Sequence, residues 1–264
     1  MAVYGKDNPH FFAQAIQSLV DQTLTPNEIV LVQDGPLTVE LENVVDQYKG
    51  LLGNQFNVIA LSKNVGLGLA LQEGLLHCSH ELVARMDSDD LSKPTRFEKQ
   101  VEVMMNDPSL SVLGTWLEEF EIEPLGDLKL KKVPVGGRSL EKYSRKRNPL
   151  NHPTVMFRKS AILKAGNYLD APYFEDYHLW ARLLLQGSKI QNLQESLLYF
   201  RKGAGFLKRR AGSTYARQER LFLKRLFDMG FLNLFQWMAA SFIRNTLRIL
   251  PLSVVQRVYA KFLR

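Results

Sequence analysis

Four short apolar runs, MAVY (1–4), EIVLVQ (28–33), FNVIAL (56–61) and ELVARM (81–86), are separated by segments of helical period near 10–23, 38–49 and 66–78. Runs of this length suit strands buried on both faces, and a parallel partner is reached only through a crossover of about a dozen residues. The alternation therefore predicts an α/β fold, a mostly parallel Rossmann-like central sheet with helices on both faces. Ligands of such sheets sit outside the carboxyl ends of the strands. Two of these ends are acidic: VQDGP places Asp34 after the second run, and ARMDSDD places Asp87, Asp89 and Asp90 after the fourth.

Further along, Pro94 suits the first turn of a helix running to about Met105, which Pro108 helps close. Residues 110–133 read as β structure with a hairpin at Gly126-Asp127, and RSLEKYSRKRNP (138–149) as an exposed, mobile basic connection near the site. HPTVMFR (152–158) reads as a strand, FEDYHLWARLLLQG (174–187) as a helix ended by Gly187, and KIQNL with SLLYFR as the end of the sheet region. From about Gly203 the pattern is helical only. The expected division is a catalytic domain over 1–202 and a basic amphipathic helical extension over 203–264.

Charge follows that division. The chain carries +7 in total, yet residues 201–264 hold fourteen Lys/Arg against Glu219 and Asp228, a net of +12, which leaves −5 for residues 1–200. In PLSVVQRVYAKFLR (251–264), Val255, Val258, Tyr259 and Phe262 form one helical stripe and Arg257, Lys261 and Arg264 another, the layout of a helix lying on an anionic membrane surface. Residues 229–243 are fifteen positions without a charge, short of the ~20 that span a bilayer. A non-catalytic basic membrane or nucleic-acid binder is the alternative. Nucleic-acid binding would want aromatics interleaved with the basic residues, whereas the tail's aromatics lie on apolar stretches, so no nucleic-acid partner is expected. The single cysteine, Cys78, excludes an internal disulfide and a thiolate metal centre, and with no secretory signal a cytosolic setting is expected.

Three carboxylates within four positions oppose one another's ionisation unless something positive joins them. At the carboxyl edge of a parallel sheet, a hard cation such as Mn2+ or Mg2+ meets that need, and such ions typically bridge to phosphate oxygens. A metal-dependent phosphatase would also use an Asp-x-Asp after an apolar strand, although Leu91 departs from the Thr or Val usual at its fifth position. A dinucleotide site on NVGLGLALQEG fails at its third glycine, where Leu71 stands.

The motifs together carry a more specific resemblance. MAVYGKDNPHFFAQAIQSLVDQTLTPNEIVLVQDG, KNVGLGLALQEGLL followed by ARMDSDDLSKPTRFEKQ, NHPTVMFRKSAILKAGNY, and FEDYHLWARLLLQG resemble, in order and spacing, the family 2 glycosyltransferases of the GT-A fold. The similarity is to bacterial capsule, exopolysaccharide and O-antigen enzymes of the amylovoran-biosynthesis type, and it covers roughly residues 1–202. It implies transfer of a hexose or N-acetylhexosamine, with inversion, from a nucleotide-sugar, most often a UDP-sugar, to a saccharide acceptor on a polyprenyl-diphosphate carrier. The enzyme would be peripheral on the inner face of the cytoplasmic membrane. By that resemblance Asp34 contacts the base beside a wall of Ala2, Val3 and Tyr4. Asp87, with Ser88, lies near the ribose, Asp87 and Asp89 hold the metal, and Asp90 supports them. Asp176 is the general base, with Glu175 beside it and Trp180 lining the acceptor pocket. His152, Arg85 and Lys63 are further candidates for the diphosphate or acceptor. Read without the resemblance, Asp34 is equally a turn residue, Glu175-Asp176 are acids favoured at a helix N-terminus, and His152 is a structural histidine. The family also begins with a longer first strand than the segment matching MAVY.

Overall fold

Asn8 and Pro9 set the start of the first helix. The Asn8 side chain accepts from the amides of His10 (2.9 Å) and Phe11 (3.2 Å), and Pro9 occupies the first helical position, where its missing N–H costs nothing. The resulting helix α1 (Pro9–Val20) buries Phe12, Ala15, Ile16 and Leu19. The computed structural model describes residues 1–124, 126, 128–203 and 212–249.

Strands β1 (Ala2–Val3), β2 (Ile29–Gln33) and β3 (Phe56–Ala60) pair in parallel in that order, with Ala2 opposite Val32 and Ile29 opposite Phe56. The crossovers are α1 and α2 (Val39–Leu52), and α3 (Leu67–His77) follows β3. Every residue of β2 is buried, which explains why its sequence is a continuous apolar run. Phe12, Ile16, Leu31, Leu41 and Met104 share its core. Gly74 serves packing: a Cβ there would stand 2.8 Å from Val32 Cγ2, so α3 lies against β2 at a distance only glycine permits.

The fourth apolar run does not join this ladder. β4 (Leu82–Ala84) pairs antiparallel with β8 (Met156–Arg158) in a second, mixed sheet. Its strand order is β4-β8-β6-β9-β5, with β5 (Leu91–Ser92), β6 (Leu110–Phe120) and β9 (Lys189–Arg201), and β7 (Lys129–Lys131) forms a hairpin with β6. β6 and β9 run parallel, with register shifts that bend them. Between β2 and β4 lies an apolar groove of about 520 Å³, bordered by Ile29, Val30, Leu82 and Val83. The Met1 amine donates to Val30 O at its edge (2.8 Å).

Helix α4 (Arg96–Asn106) starts two residues after Pro94. Residues 138–149, expected to be a mobile connection, instead contribute most of helix α5 (Gly137–Ser144), because Leu140 and Ser144 fall on one face and are buried. The turn of the β6–β7 hairpin includes Gly126 at φ +80°, whereas Asp127 lies outside the described residues. The stretch 152–158 splits into a single 3-10 turn (His152–Thr154) and β8, followed by α6 (Lys159–Lys164).

Helix α7 (Glu175–Leu185) is the hub for the last elements, α8 (Ser213–Asp228) and α9 (Leu234–Ile249). Phe174, Tyr177 and Ala181 pack with Tyr215, Phe222, Leu223 and Leu226 in a third core, where Phe174 stacks on Phe222 at 4.5 Å. Arg244 of α9 pairs with the buried Glu219 of α8 (3.0 Å) and donates to Lys146 O (3.2 Å). Among the described residues no helix is long and apolar enough to cross a membrane. The amphipathic helix expected over 251–264 and the basic cluster Lys208–Arg210 lie outside the described residues.

Candidate active site

The acidic turn follows β4 directly. One oxygen from each of Asp87, Asp89 and Asp90 lies within 4.8 Å of the others, the only such cluster among the described residues. Asp90 is fully buried: its Oδ1 accepts from the Arg201 amide (2.8 Å), while its Oδ2 has no hydrogen-bond partner. Desolvation first, then the charges of Asp87 and Asp89, push its carboxyl well above the ordinary range. A convergent set of three carboxylates with one buried oxygen unsatisfied fits a hard divalent cation, which would remove both the repulsion and the orphaned acceptor. Asp87 and Asp89 are partly accessible, as ligands that share an ion with substrate oxygens must be.

Three arginines brace this turn. Arg85 is buried and pairs with Asp87, and its Nε and Nη1 have no partner. This candidate for the diphosphate or acceptor is therefore already engaged with a carboxylate of the acidic turn. Arg96, also fully buried, donates through Nη2 to Arg85 O (2.8 Å) and Val155 O (3.3 Å) and through Nε to Gln100 Oε1 (3.0 Å). Burial lowers its pKa to about 9, so it remains charged at neutral pH. Arg201 approaches from the far end of β9, its Nε donating to Asp89 O (2.8 Å).

At the carboxyl ends of β1 and β2, Ala2, Val3, Tyr4 and Asp34 come together, and Asp34 N donates to Val3 O (2.8 Å). The Asp34 carboxylate already accepts from the amides of Val65 (2.6 Å) and Gly66 (3.1 Å), fastening the loop that opens α3. Gly35 makes that approach possible, since a Cβ would stand 2.5 Å from Asn64 N and the residue has φ +86°. Any base contact by Asp34 would use its remaining lone pairs. Lys63 is exposed on the same loop. Ser88 Oγ donates to Asp7 Oδ2 (2.8 Å), so the loop after β1 is tied to the acidic turn.

The second acidic pair stands at the N-terminus of α7. Asp176 accepts from Asn148 Nδ2 (2.5 Å) on Oδ2 and from the Tyr177 amide (2.6 Å) on Oδ1. Glu175 is buried; desolvation, then the neighbouring Asp176 charge, raise its pKa to about 7, with Arg85 opposing and Asp87 adding to the rise. Those last two influences bring the pair and the acidic turn into one electrostatic site. Gly68 leaves room, as a Cβ would stand 3.1 Å from Glu175 Cβ. Just upstream, Tyr173 adopts φ +70°, a strained conformation for an aromatic residue, held by ring packing on Tyr215 at 5.1 Å.

Two expectations change with the fold. Trp180, expected to line an acceptor pocket, is 0% exposed, because one helical turn beyond Asp176 the helix faces the core; it packs edge-on against His152 at 6.0 Å. His152 is buried, its Nε2 bonds to the Tyr168 hydroxyl (3.0 Å), and desolvation followed by the Arg85 charge holds its pKa well below the usual value. Both side chains back the site. Sequence reading missed Asn148, Asp7, Arg96 and Arg201 as participants. Asn148-Pro149 before a predicted strand was the one local hint.

A parallel βα unit joined to a mixed sheet, with an acidic turn after β4 and a second acidic pair at the start of α7, matches the GT-A fold of glycosyltransferases. The sequence profile described as glycosyl transferase family 2 matches residues 1–164, and the chain belongs to that family. It is 36% identical over its whole length to the UDP-Gal:alpha-D-GlcNAc-diphosphoundecaprenol beta-1,3-galactosyltransferase of Escherichia coli, covering 95% of that protein. It is 35% identical to the amylovoran biosynthesis glycosyltransferase AmsE of Erwinia amylovora, over 99% of this chain and 97% of that one. In fold it is similar to the mannosyltransferase PcManGT of Pyrobaculum calidifontis, solved with GDP-Man and Mn2+. The TM-score there is 0.64 at 13% identity, over 98% of this chain and 78% of that one.

Proposed function

We propose that this glycosyltransferase is metal-dependent and inverting, moving a hexose or N-acetylhexosamine from a UDP-sugar to a saccharide carried on a polyprenyl diphosphate. The observation that carries the reading is the convergence of Asp87, Asp89 and Asp90 within 4.8 Å. Asp87 and Asp89 would hold Mn2+ or Mg2+, which as a Lewis acid offsets the charge growing on the leaving diphosphate. The chain's own residues do the rest. Asp176 takes the proton of the attacking acceptor hydroxyl, aimed by Asn148 and the Tyr177 amide, while nucleoside diphosphate departs from the opposite face. Glu175, protonated over much of the range below pH 7, limits the negative charge beside that base. Ala2, Val3, Tyr4, Asp34 and Ser88 surround the nucleotide.

The relatives support the substrate class, since the Escherichia coli enzyme's name specifies a UDP-sugar donor and a diphosphoundecaprenol-linked acceptor. Residues 1–202 form the catalytic unit in this reading and 203–264 the membrane-facing extension. On α9, Phe235 is 83% and Phe242 73% exposed, with Leu234 and Met238 beside them. An apolar face of this kind on a basic extension suits peripheral attachment to the anionic inner leaflet of the cytoplasmic membrane.

Calorimetric titration of UDP in Mn2+ and in EDTA, with GDP and ADP as controls, tests the donor and metal. UDP-selective binding that disappears in EDTA and in Asp89→Ala is expected. Equal binding with and without metal, by a folded protein, would refute the metal assignment. Flotation with anionic and neutral vesicles, comparing wild type with Phe235→Ser/Phe242→Ser, tests the attachment.

A further inference from the structure

The segment that carries Asn148 is gripped by two parts of the fold. Past the end of α5, the amides of Lys146 and Arg147 both donate to Tyr143 O (2.9 Å each), so the chain continues from the helix as one tight turn. From α7, the Tyr177 hydroxyl donates to Ser144 O (2.5 Å), and Asn148 Nδ2 donates to Asp176 Oδ2. Asn148 Oδ1 accepts from the Leu150 amide (3.3 Å), which turns the side-chain amide so that its donor faces Asp176. Further contacts come from the C-terminal helices. Arg145 lies over the ring of Phe231, between α8 and α9, at 4.2 Å. Arg244 of α9 donates through Nη2 to Lys146 O (3.2 Å), while its Nη1 pairs with Glu219 of α8 (3.0 Å). We infer that Arg244 is a positioning residue for Asp176, acting through residues 144–148, so that the C-terminal extension helps aim the catalytic base.

The physical case rests on how the contacts connect. Glu219 is buried and the Arg244 side chain is 23% exposed, so their attraction is screened less than that of a surface pair and holds the guanidinium in place. A planar fork can then present one nitrogen to the Glu219 carboxylate and the other to the Lys146 carbonyl, which a lysine ammonium on a flexible stem does less well. Lys146 lies two residues before Asn148, so a shift of its carbonyl is carried directly to the amide that bonds Asp176. The third core packs α8 against α7, the helix that begins with the acidic pair, so the clamp and the base share one support. Displacing an aiming group by a fraction of an ångström slows the chemical step, while donor binding, made by other residues, is spared.

The inference rests on the reading of Asp176 as the base, so its first measurement needs no turnover. Amide hydrogen exchange at residues 145–148, normalised to core amides, should accelerate by about tenfold or more in Arg244→Ala. Transfer is then measured with the wild type's best donor among UDP-hexoses and UDP-N-acetylhexosamines, and a synthetic saccharide-diphosphate lipid as acceptor. Arg244→Ala should lower kcat by roughly 3- to 10-fold with the donor KM unchanged, and Arg244→Lys should recover part of the loss. In an Asn148→Ala background the same substitution should cost less than about twofold, because the aiming group is already gone. Arg225 is the control: its carbonyl contact is Asp170 O (2.7 Å) rather than a residue of 144–148, so whatever Arg225→Ala does alone should persist undiminished in that background. If Arg244→Ala does not fold, Tyr177→Phe, which releases Ser144 O in the same segment, should show the faster exchange and the same non-additivity with Asn148→Ala. Unchanged exchange at residues 145–148 would overturn the inference, as would an Arg244→Ala effect that adds fully to that of Asn148→Ala. Asp176→Asn, run alongside, separates this role from the base assignment. Turnover retained in that variant would remove the base and this inference with it, whereas an inactive Asp176→Asn with additive Arg244 and Asn148 effects would remove the inference alone.

Discussion

The two acidic clusters of the site are built on opposite principles. Asp87, Asp89 and Asp90 sit at a strand end, braced by Arg85, Arg96 and Arg201, with one carboxylate oxygen left buried and unsatisfied. Glu175 and Asp176 sit at a helix N-terminus, where Asn148 Nδ2 donates to Asp176 Oδ2 and the Tyr177 amide donates to its Oδ1. A cluster held by cations acting largely through the backbone keeps its carboxylates together in spite of repulsion, which suits binding a metal. A pair aligned by hydrogen bonds at a helix start holds a carboxylate in one orientation, which suits taking a proton.

That contrast can be broken most severely at Asp176. Asp176→Asn keeps the shape and the Asn148 neighbour but removes the base, so turnover should fall by about 10²- to 10⁴-fold with UDP binding intact, as single-turnover rates and calorimetry would show. Substantial transfer in that variant would reassign the base. Asn148→Ala removes the aim but leaves the base. The loss of one hydrogen bond to a charged group, about 1.5–3 kcal/mol, predicts a roughly 10- to 100-fold drop in kcat with little change in the donor KM.

The third prediction concerns protonation. The Glu175 pKa is raised to about 7 in the folded chain against 4.5 for an unperturbed Glu, so the native state binds the extra proton across that interval. Stability measured in EDTA should therefore be highest below about pH 4.5, insofar as Glu175 sets it, and fall as pH rises towards 7, by on the order of 2 kcal/mol. Glu175→Gln should flatten that slope. His178 acts in the opposite direction: burial first, then Arg182 and Arg225, lower its pKa to about 4, so its contribution is lost as pH falls from about 6.5 to 4. Urea melts of His178→Gln and Glu175→Gln would separate the two slopes. The smallest effect lies outside both clusters. Asn8→Ala removes the α1 cap and should cost about 1 kcal/mol, read as a modest fall in Tm with kinetics unchanged.

Much of this was legible in the chain. The alternation of apolar runs with helical periods encoded the parallel unit, since a βα repeat is a local pattern with few ways to pack. The acids of the first cluster were visible because like charges close in sequence demand an explanation, and those of the second through the family resemblance. The misreadings occurred where a local pattern served two environments. Residues 138–149 looked exposed because their charges outnumber their apolar residues, yet Leu140 alone anchors α5 in the core. Trp180 sat one turn beyond a catalytic candidate and nonetheless faced inward.

What the sequence determined by itself was therefore the order of elements, the placement of acids at a strand end and at a helix start, and the basic character of the last sixty residues. Tertiary structure alone decided that β4 pairs with β8 rather than β1, that Asn148 aims Asp176 across 28 positions, and that Arg201 reaches Asp89 across 112. Periodicity and capping act through neighbours along the chain, whereas a hydrogen bond or ion pair depends on separation in space. Only packing of the two sheets brings donors so distant in sequence to within 3 Å of their acceptors.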